Sequence, residues 1–152
     1  MLSNASMRAI VLVLVAALFL ACLAHAAPTE LKPFSTDGCS LFPDHLPGKG
    51  PYCECCVQHD FAYWRGGTAK EREAADEAFR QCVERTSHDA SLARAMYLGV
   101  RAGGNPHLYT WFRWGYGWPY GRFYKPLGDD EKARADALEA EYRAARPKLT
   151  CP

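Results

Sequence analysis

Eleven residues from Cys53 to Tyr63, Cys-Glu-Cys-Cys-Val-Gln-His-Asp-Phe-Ala-Tyr, carry three thiols, an imidazole, two carboxylates and a phenol. That density admits three chemistries. Cys53, Cys55, Cys56 and His59 have the ligand types of a zinc site, but neighbouring cysteines on a helix diverge. A cysteine nucleophile paired with His59 needs a reduced thiol. Hydrolysis by a water that His59 activates, with a cation held by Asp60 to stabilise an oxyanion, uses the polar groups and leaves the cysteines as scaffold.

The compartment bears on the choice, because clustered cysteines hold metals in reducing surroundings and form disulfides in oxidising ones. Arg8 is the only charge in the first 26 residues, an apolar run from Ile10 to Ala24 follows, and Ala24-His25-Ala26 offers a small-x-small cleavage site. Residues 1–26 therefore read as a secretory signal peptide. An uncleaved anchor and a lipid on Cys22 are the lesser alternatives. The expected destination is secreted or periplasmic, with residues 27–152 as a single domain. That domain has 17 basic and 17 acidic side chains, so charge gives no argument for a nucleic-acid partner. Its six cysteines, Cys39, Cys53, Cys55, Cys56, Cys82 and Cys151, allow up to three bridges. Exported thiols oxidise, which weakens the zinc and cysteine-nucleophile readings.

Local signals give the elements that must position these groups. Residues 27–51, rich in Pro, Gly, Ser and Asp, read as loop. Within it, Asp37 to Asp44 could turn carbonyls toward a hard cation such as calcium; a turn pinned through Cys39 is the simpler reading of that segment alone. Residues 53–64 read as a helix stopped at Arg65-Gly66-Gly67. His59 and Tyr63 share a face of it, while Asp60 points away.

Thr68-Ala69-Lys70-Glu71 matches a capping box and opens a helix to about Glu84. Its expected buried stripe is Ala74, Ala75, Ala78, Phe79 and Cys82, with Asp76 at the edge. The short connection makes the two helices antiparallel. Cys55 opposite Cys82 and Ala62 opposite Ala75 fit one register, which brings Asp76 within a turn of His59 and Tyr63.

A third helix runs from an Asp89 cap to about Arg101, with Leu92, Ala95, Met96 and Gly99 on one face. His88-Asp89 repeats the His-Asp dipeptide and reads as capping. The aromatic run from Tyr109 to Tyr124 is irregular and interleaved with glycine. It either completes a core or forms an acyl-binding slot or membrane-interface platform; stacking on bases is a weaker third reading. Residues 129–146 make an amphipathic docking helix with Ala135, Leu138, Tyr142 and Ala145 as its stripe, and Cys151 ties down the tail. The expected fold class is mainly α: a disulfide-linked antiparallel helix pair carrying the site, further helices and an aromatic-rich irregular segment.

Cys55-Cys56-Val57-Gln58-His59-Asp60-Phe61-Ala62-Tyr63 resembles the secreted phospholipase A2 signature, Cys-Cys-x-x-His-Asp followed three residues later by tyrosine. Asp76-x5-Cys82 is similar to that family's partner-helix motif, and the likeness, of a divergent bacterial type, covers about residues 37 to 82. It implies His59 as general base, Asp76 as its partner carboxylate with Tyr63 in support, and Asp60 as a calcium ligand. If the loop aligns through Cys39, the carbonyls of Gly38, Ser40 and Phe42 complete the calcium site, with Asp44 as a further contributor. The resemblance also implies the bridges Cys55–Cys82 and Cys39–Cys56, which leaves Cys53 and Cys151 to pair by elimination.

The implied activity is calcium-dependent hydrolysis of a glycerophospholipid acyl ester by a monomer acting on a phospholipid or membrane surface. A non-catalytic phospholipase-like protein that binds lipid or membrane surfaces is the alternative. Two departures stand out. Ala62 and Ala75 occupy positions where many members carry a further bridge, and Ser40-Leu41-Phe42-Pro43 stands where the family loop is glycine-rich.

Overall fold

The computed structural model describes residues 30–145. Among them the chain forms four helices and no strand: α1 (Cys53–Arg65), α2 (Ala69–Ser87), α3 (Ala90–Gly103) and α4 (Asp129–Ala145). The mainly α fold class is the one expected. The signal peptide expected at residues 1–26 falls outside the described residues, as does Cys151.

Caps set the helix boundaries. Thr68 accepts the amide of Glu71, and the Glu71 carboxylate accepts the Thr68 amide at 2.6 Å, closing the capping box that starts α2. At the other end His88 takes a left-handed φ of 53°, and Asp89 then accepts the Leu92 amide at 2.9 Å to start α3. The second His-Asp pair is thus a stop followed by a start. Lys49 holds the same aspartate from the loop side at 2.7 Å.

α1 is the central element. One side meets Phe79, Val83, Ala93 and Met96 from α2 and α3, and the other meets Leu31, Phe34, Trp118, Ala135 and Leu138. Burial of Val57 and Trp64, both fully enclosed, contributes about 1.5–3 kcal/mol for each side chain of this kind. α2 packs antiparallel on α1 and also against α3. Cys55–Cys82 bridges the α1–α2 pair, and Cys39–Cys56 ties the preceding loop to α1. Cys53 is also disulfide-bonded. These bonds fit an oxidising environment.

The stripe expected for α2 is corrected. Ala74 and Ala78 are exposed, and the buried face is Arg72, Asp76, Phe79, Val83 and Ser87. Arg and Asp are tolerated there because each is fully partnered, so the inward face is polar at the end nearest the α1–α2 turn.

The aromatic segment divides in two. Gly115 and Gly117 donate their amides to the Tyr63 and Trp64 carbonyls at 2.6 and 3.2 Å, and the Trp118 indole donates to Arg65 O at 2.7 Å. These bonds occupy the carbonyls that a helix C-terminus leaves open. Gly66 has a φ of 69°, and a Cβ there would stand 2.9 Å from Gly115 Cα, so the contact requires glycine. Trp114 and Trp118 are buried as the core reading expects, whereas Tyr109 and Trp111 are 84% and 64% exposed. α4 docks through Ala135 and Leu138, as its stripe predicts, and Arg65 reaches its Asp136 at 2.6 Å. Among the described residues no helix is long and apolar enough to cross a membrane.

Candidate functional site

The antiparallel register puts α1 and α2 side chains face to face. His59 Nε2 lies 2.8 Å from Asp76 Oδ1, and the Tyr63 hydroxyl donates to the same oxygen at 2.8 Å. His59 is sandwiched between the rings of Tyr63 and Phe79, at centroid distances of 4.1 and 4.6 Å. Burial lowers its pKa, while the bond to Asp76 pulls the other way. The outcome is a neutral imidazole, tautomerically fixed with its proton on Nε2. Nδ1 has no hydrogen-bond partner among the described residues, and the ring lines a cavity of about 240 Å³.

Asp76 is fully buried. Burial alone would raise its pKa, but donation from His59, Arg101 and Tyr63 outweighs that and holds it below the usual carboxylate range. Arg101 Nη1 donates to Oδ2 at 2.7 Å, and Arg72 Nε stands 3.8 Å from the same oxygen. Arg72 is itself buried. It donates to Tyr63 at 3.0 Å, to Tyr124 at 2.8 Å and to the carbonyls of Val100 and Arg101. Neither arginine was among the candidates from the sequence. The spacing of Arg72 four residues before Asp76 on one helix was the available signal.

Asp60, on the next face of α1, is buried. Its Oδ2 accepts the Thr36 hydroxyl at 2.6 Å, and Thr36 in turn accepts the Gly38 amide at 3.1 Å. Burial pushes the Asp60 pKa up to about 7, the Thr36 bond opposes this, and the nearby Asp37 carboxylate adds to it. Asp60 and Asp37 share a recess of about 150 Å³ with Thr36, Ser40, Trp111 and Tyr116.

The loop residues Gly38, Ser40 and Phe42 line the larger cavity together with His59 and Asp60. Of the ligand positions implied by the resemblance, Gly38, Ser40, Phe42 and Asp60 are grouped at one cavity and Asp44 is not among its lining residues. Asp44 is engaged in shaping the loop, since its Oδ1 accepts the Cys39 amide at 2.8 Å. Leu41 takes a left-handed φ of 60° with its side chain 79% exposed at the rim. Sulfur atoms of Cys39 and Cys53 come close to the Asp44 carboxylate, but both are in disulfides and offer no thiolate to a metal. Thr36 is a contributor that sequence spacing left out, while Asp37 and Phe112 fall within the loop and the aromatic run that it singled out.

Compared with known proteins, residues 31–100 match a family described as a protein of unknown function (DUF1353). That span holds the loop, α1, α2 and most of α3. No curated protein and no solved structure matches the chain.

Proposed function

We propose that the chain is a secreted or periplasmic calcium-dependent esterase of phospholipase A2 type, cutting an acyl ester of a glycerophospholipid as a monomer. One observation carries the reading. His59 is anchored through Nε2 on Asp76 at 2.8 Å, while Nδ1 has no partner among the described residues and the ring lines a cavity that Asp60 also lines.

Neutral His59 takes a proton from a water at Nδ1, and the hydroxide attacks the ester carbonyl carbon. Asp76 stabilises the imidazolium and keeps the ring oriented, with Tyr63 and Arg101 holding Asp76. His59 then returns the proton to the departing glycerol oxygen, giving a fatty acid and a lysolipid.

The donor set fits a hard divalent cation. A buried carboxylate with a hydroxyl as its hydrogen-bond partner and a second carboxylate beside it is the arrangement such an ion relieves. Asp60 and Asp37, with the carbonyls of Gly38, Ser40 and Phe42, would hold it. When bound, calcium supplies positive charge against the oxyanion. Leu41, Tyr109 and Trp111 are exposed, and the two aromatic side chains are of the kinds that favour a lipid interface.

The test is fatty-acid release from phospholipid vesicles. Turnover should need calcium at about 0.1–1 mM and vanish with excess chelator and in His59→Gln. Release that persists in chelator removes calcium from the reaction. Calcium binding without any release would favour the non-catalytic lipid-binding alternative.

A further inference from the structure

A line of hydrogen bonds joins the aromatic run at the surface to the buried His59–Asp76 pair. Arg72 Nη1 donates to the Tyr124 hydroxyl at 2.8 Å, and Arg72 Nε donates to the Tyr63 hydroxyl at 3.0 Å. Tyr63 then donates to Asp76 Oδ1 at 2.8 Å, the oxygen that holds His59. Tyr124 is 36% exposed, whereas Asp76 is fully buried.

The chain around Tyr124 is built to hold it at that place. Lys125 donates its amide to Gly67 O at 3.1 Å, which seats the segment on the turn between α1 and α2. Phe123 takes a left-handed φ of 51°, a conformation that a bulky residue keeps only where its surroundings fix it. Its ring stacks on His107 at 4.4 Å, and His107 meets the Tyr124 ring edge-on at 6.1 Å.

The Tyr63 hydroxyl has one proton and two acceptors within reach, Asp76 Oδ1 at 2.8 Å and Val100 O at 3.3 Å. Arg72 biases that choice twice. Its Nη2 donates to Val100 O at 3.0 Å and so engages the competing carbonyl. Its Nε–H occupies a lone pair of the phenol oxygen, which turns the phenol proton toward the carboxylate. Because a guanidinium is a rigid plane, a contact at Nη1 sets the direction of Nε and Nη2 together. Tyr124 supplies that contact.

We infer that Tyr124 is a positioning residue for His59. By fixing the Arg72 plane from the aromatic run, it keeps the Tyr63 proton on Asp76 and so keeps Asp76 aligned with the imidazole. The role of that alignment in turnover rests on the hydrolytic reading of the site; the alignment itself does not.

The experiment uses Tyr124→Phe, which removes the hydroxyl and keeps the ring. Lys125→Ala is the control, since it changes an exposed neighbouring side chain and keeps the backbone bond to Gly67. Circular dichroism checks that both fold. Two quantities are compared with the parent: kcat and KM on 4-nitrophenyl butanoate, and the imidazole Nε2–H resonance of His59 by NMR, assigned by its absence from His59→Gln. Tyr124→Phe should lower kcat about five- to tenfold, the worth of one hydrogen bond, with KM unchanged, and should shift the Nε2–H resonance. Lys125→Ala should alter neither. An unmoved resonance overturns the role, as does an intact kcat. If the parent cuts no ester, the hydrolytic reading fails, and the resonance alone decides whether Tyr124 positions His59.

Discussion

Arg101 and His59 hold opposite oxygens of one buried carboxylate: Arg101 Nη1 reaches Asp76 Oδ2 at 2.7 Å, and His59 Nε2 reaches Oδ1 at 2.8 Å. Asp76 can therefore stay ionised without solvent, and its position is fixed from α1 and α3 at once. The two arginines in this network should differ in cost. Arg72 is almost fully buried, and its loss strands Tyr63, Tyr124 and two carbonyls. Arg72→Met is expected to cost about 3–5 kcal/mol in denaturant unfolding. The Arg101 side chain is 36% exposed, so Arg101→Met should cost only about 1 kcal/mol while lowering turnover. Equal stability losses would show that Arg72 is not the keystone of the network.

Calcium binding should depend on pH through Asp60. Burial, helped by Asp37, raises its folded pKa from 3.8 to about 7. Between those values the folded protein keeps a proton that the unfolded chain has released. In the metal-free protein this group's contribution is therefore most favourable below about pH 4, and it is lost as pH rises through 7. His59 has the opposite sign: its pKa is lowered, so the stability it contributes is lost as pH falls below 6.5. Because a proton competes with the cation on Asp60, calcium affinity by calorimetry should be about tenfold weaker at pH 6 than at pH 8. A flat profile would remove Asp60 as a ligand.

The Cys39–Cys56 bridge should matter more to the ion than Cys55–Cys82 does. The first spans 17 residues and fixes the cavity loop on α1, whereas the second spans 27 and joins α1 to α2. Replacing either pair by alanine is expected to cost about 2–4 kcal/mol. Only Cys39→Ala with Cys56→Ala should also weaken calcium several-fold, because Gly38, Ser40 and Phe42 then lose their anchor. Calorimetry on both folded double variants checks this, and equal affinities would detach the loop from the ion.

The parts of this fold that sequence spacing reveals are those set locally. The Thr68 capping box, the Asp89 cap and the Gly66-Gly67 stop depend on a few adjacent residues, and the helix ends fall where those signals stand. The α1–α2 register was legible because Cys55 and Cys82, together with Ala62 and Ala75, constrain a single offset. The α2 stripe was not, because Arg72 and Asp76 are buried through mutual pairing and so break the apolar period. Thr36 escaped notice, and Asp37 was singled out with its loop but not paired with Asp60, for a related reason: a loop has no period, and only the folded chain brings them to Asp60. In the aromatic run, Trp114 and Trp118 are inward because their indoles meet the end of α1, a choice that composition cannot make between them and Trp111.

Two glycines of the α3 region should respond oppositely to the same added methyl. Gly104 has a φ of −82°, so its backbone suits any residue, but a Cβ would collide with the Tyr63 ring and lie 2.6 Å from its hydroxyl. Gly104→Ala must displace the phenol that holds Asp76, and it should cost about 1–3 kcal/mol and reduce turnover. Gly99 faces open space, so Gly99→Ala should gain about 0.5–1 kcal/mol from helix propensity. Thermal unfolding of the two variants gives shifts of opposite sign if this packing is right. Destabilisation by Gly99→Ala would mean that this space is filled by another part of the chain. An unchanged Tm in Gly104→Ala would mean that Tyr63 is free to move and cannot be what positions Asp76 against His59.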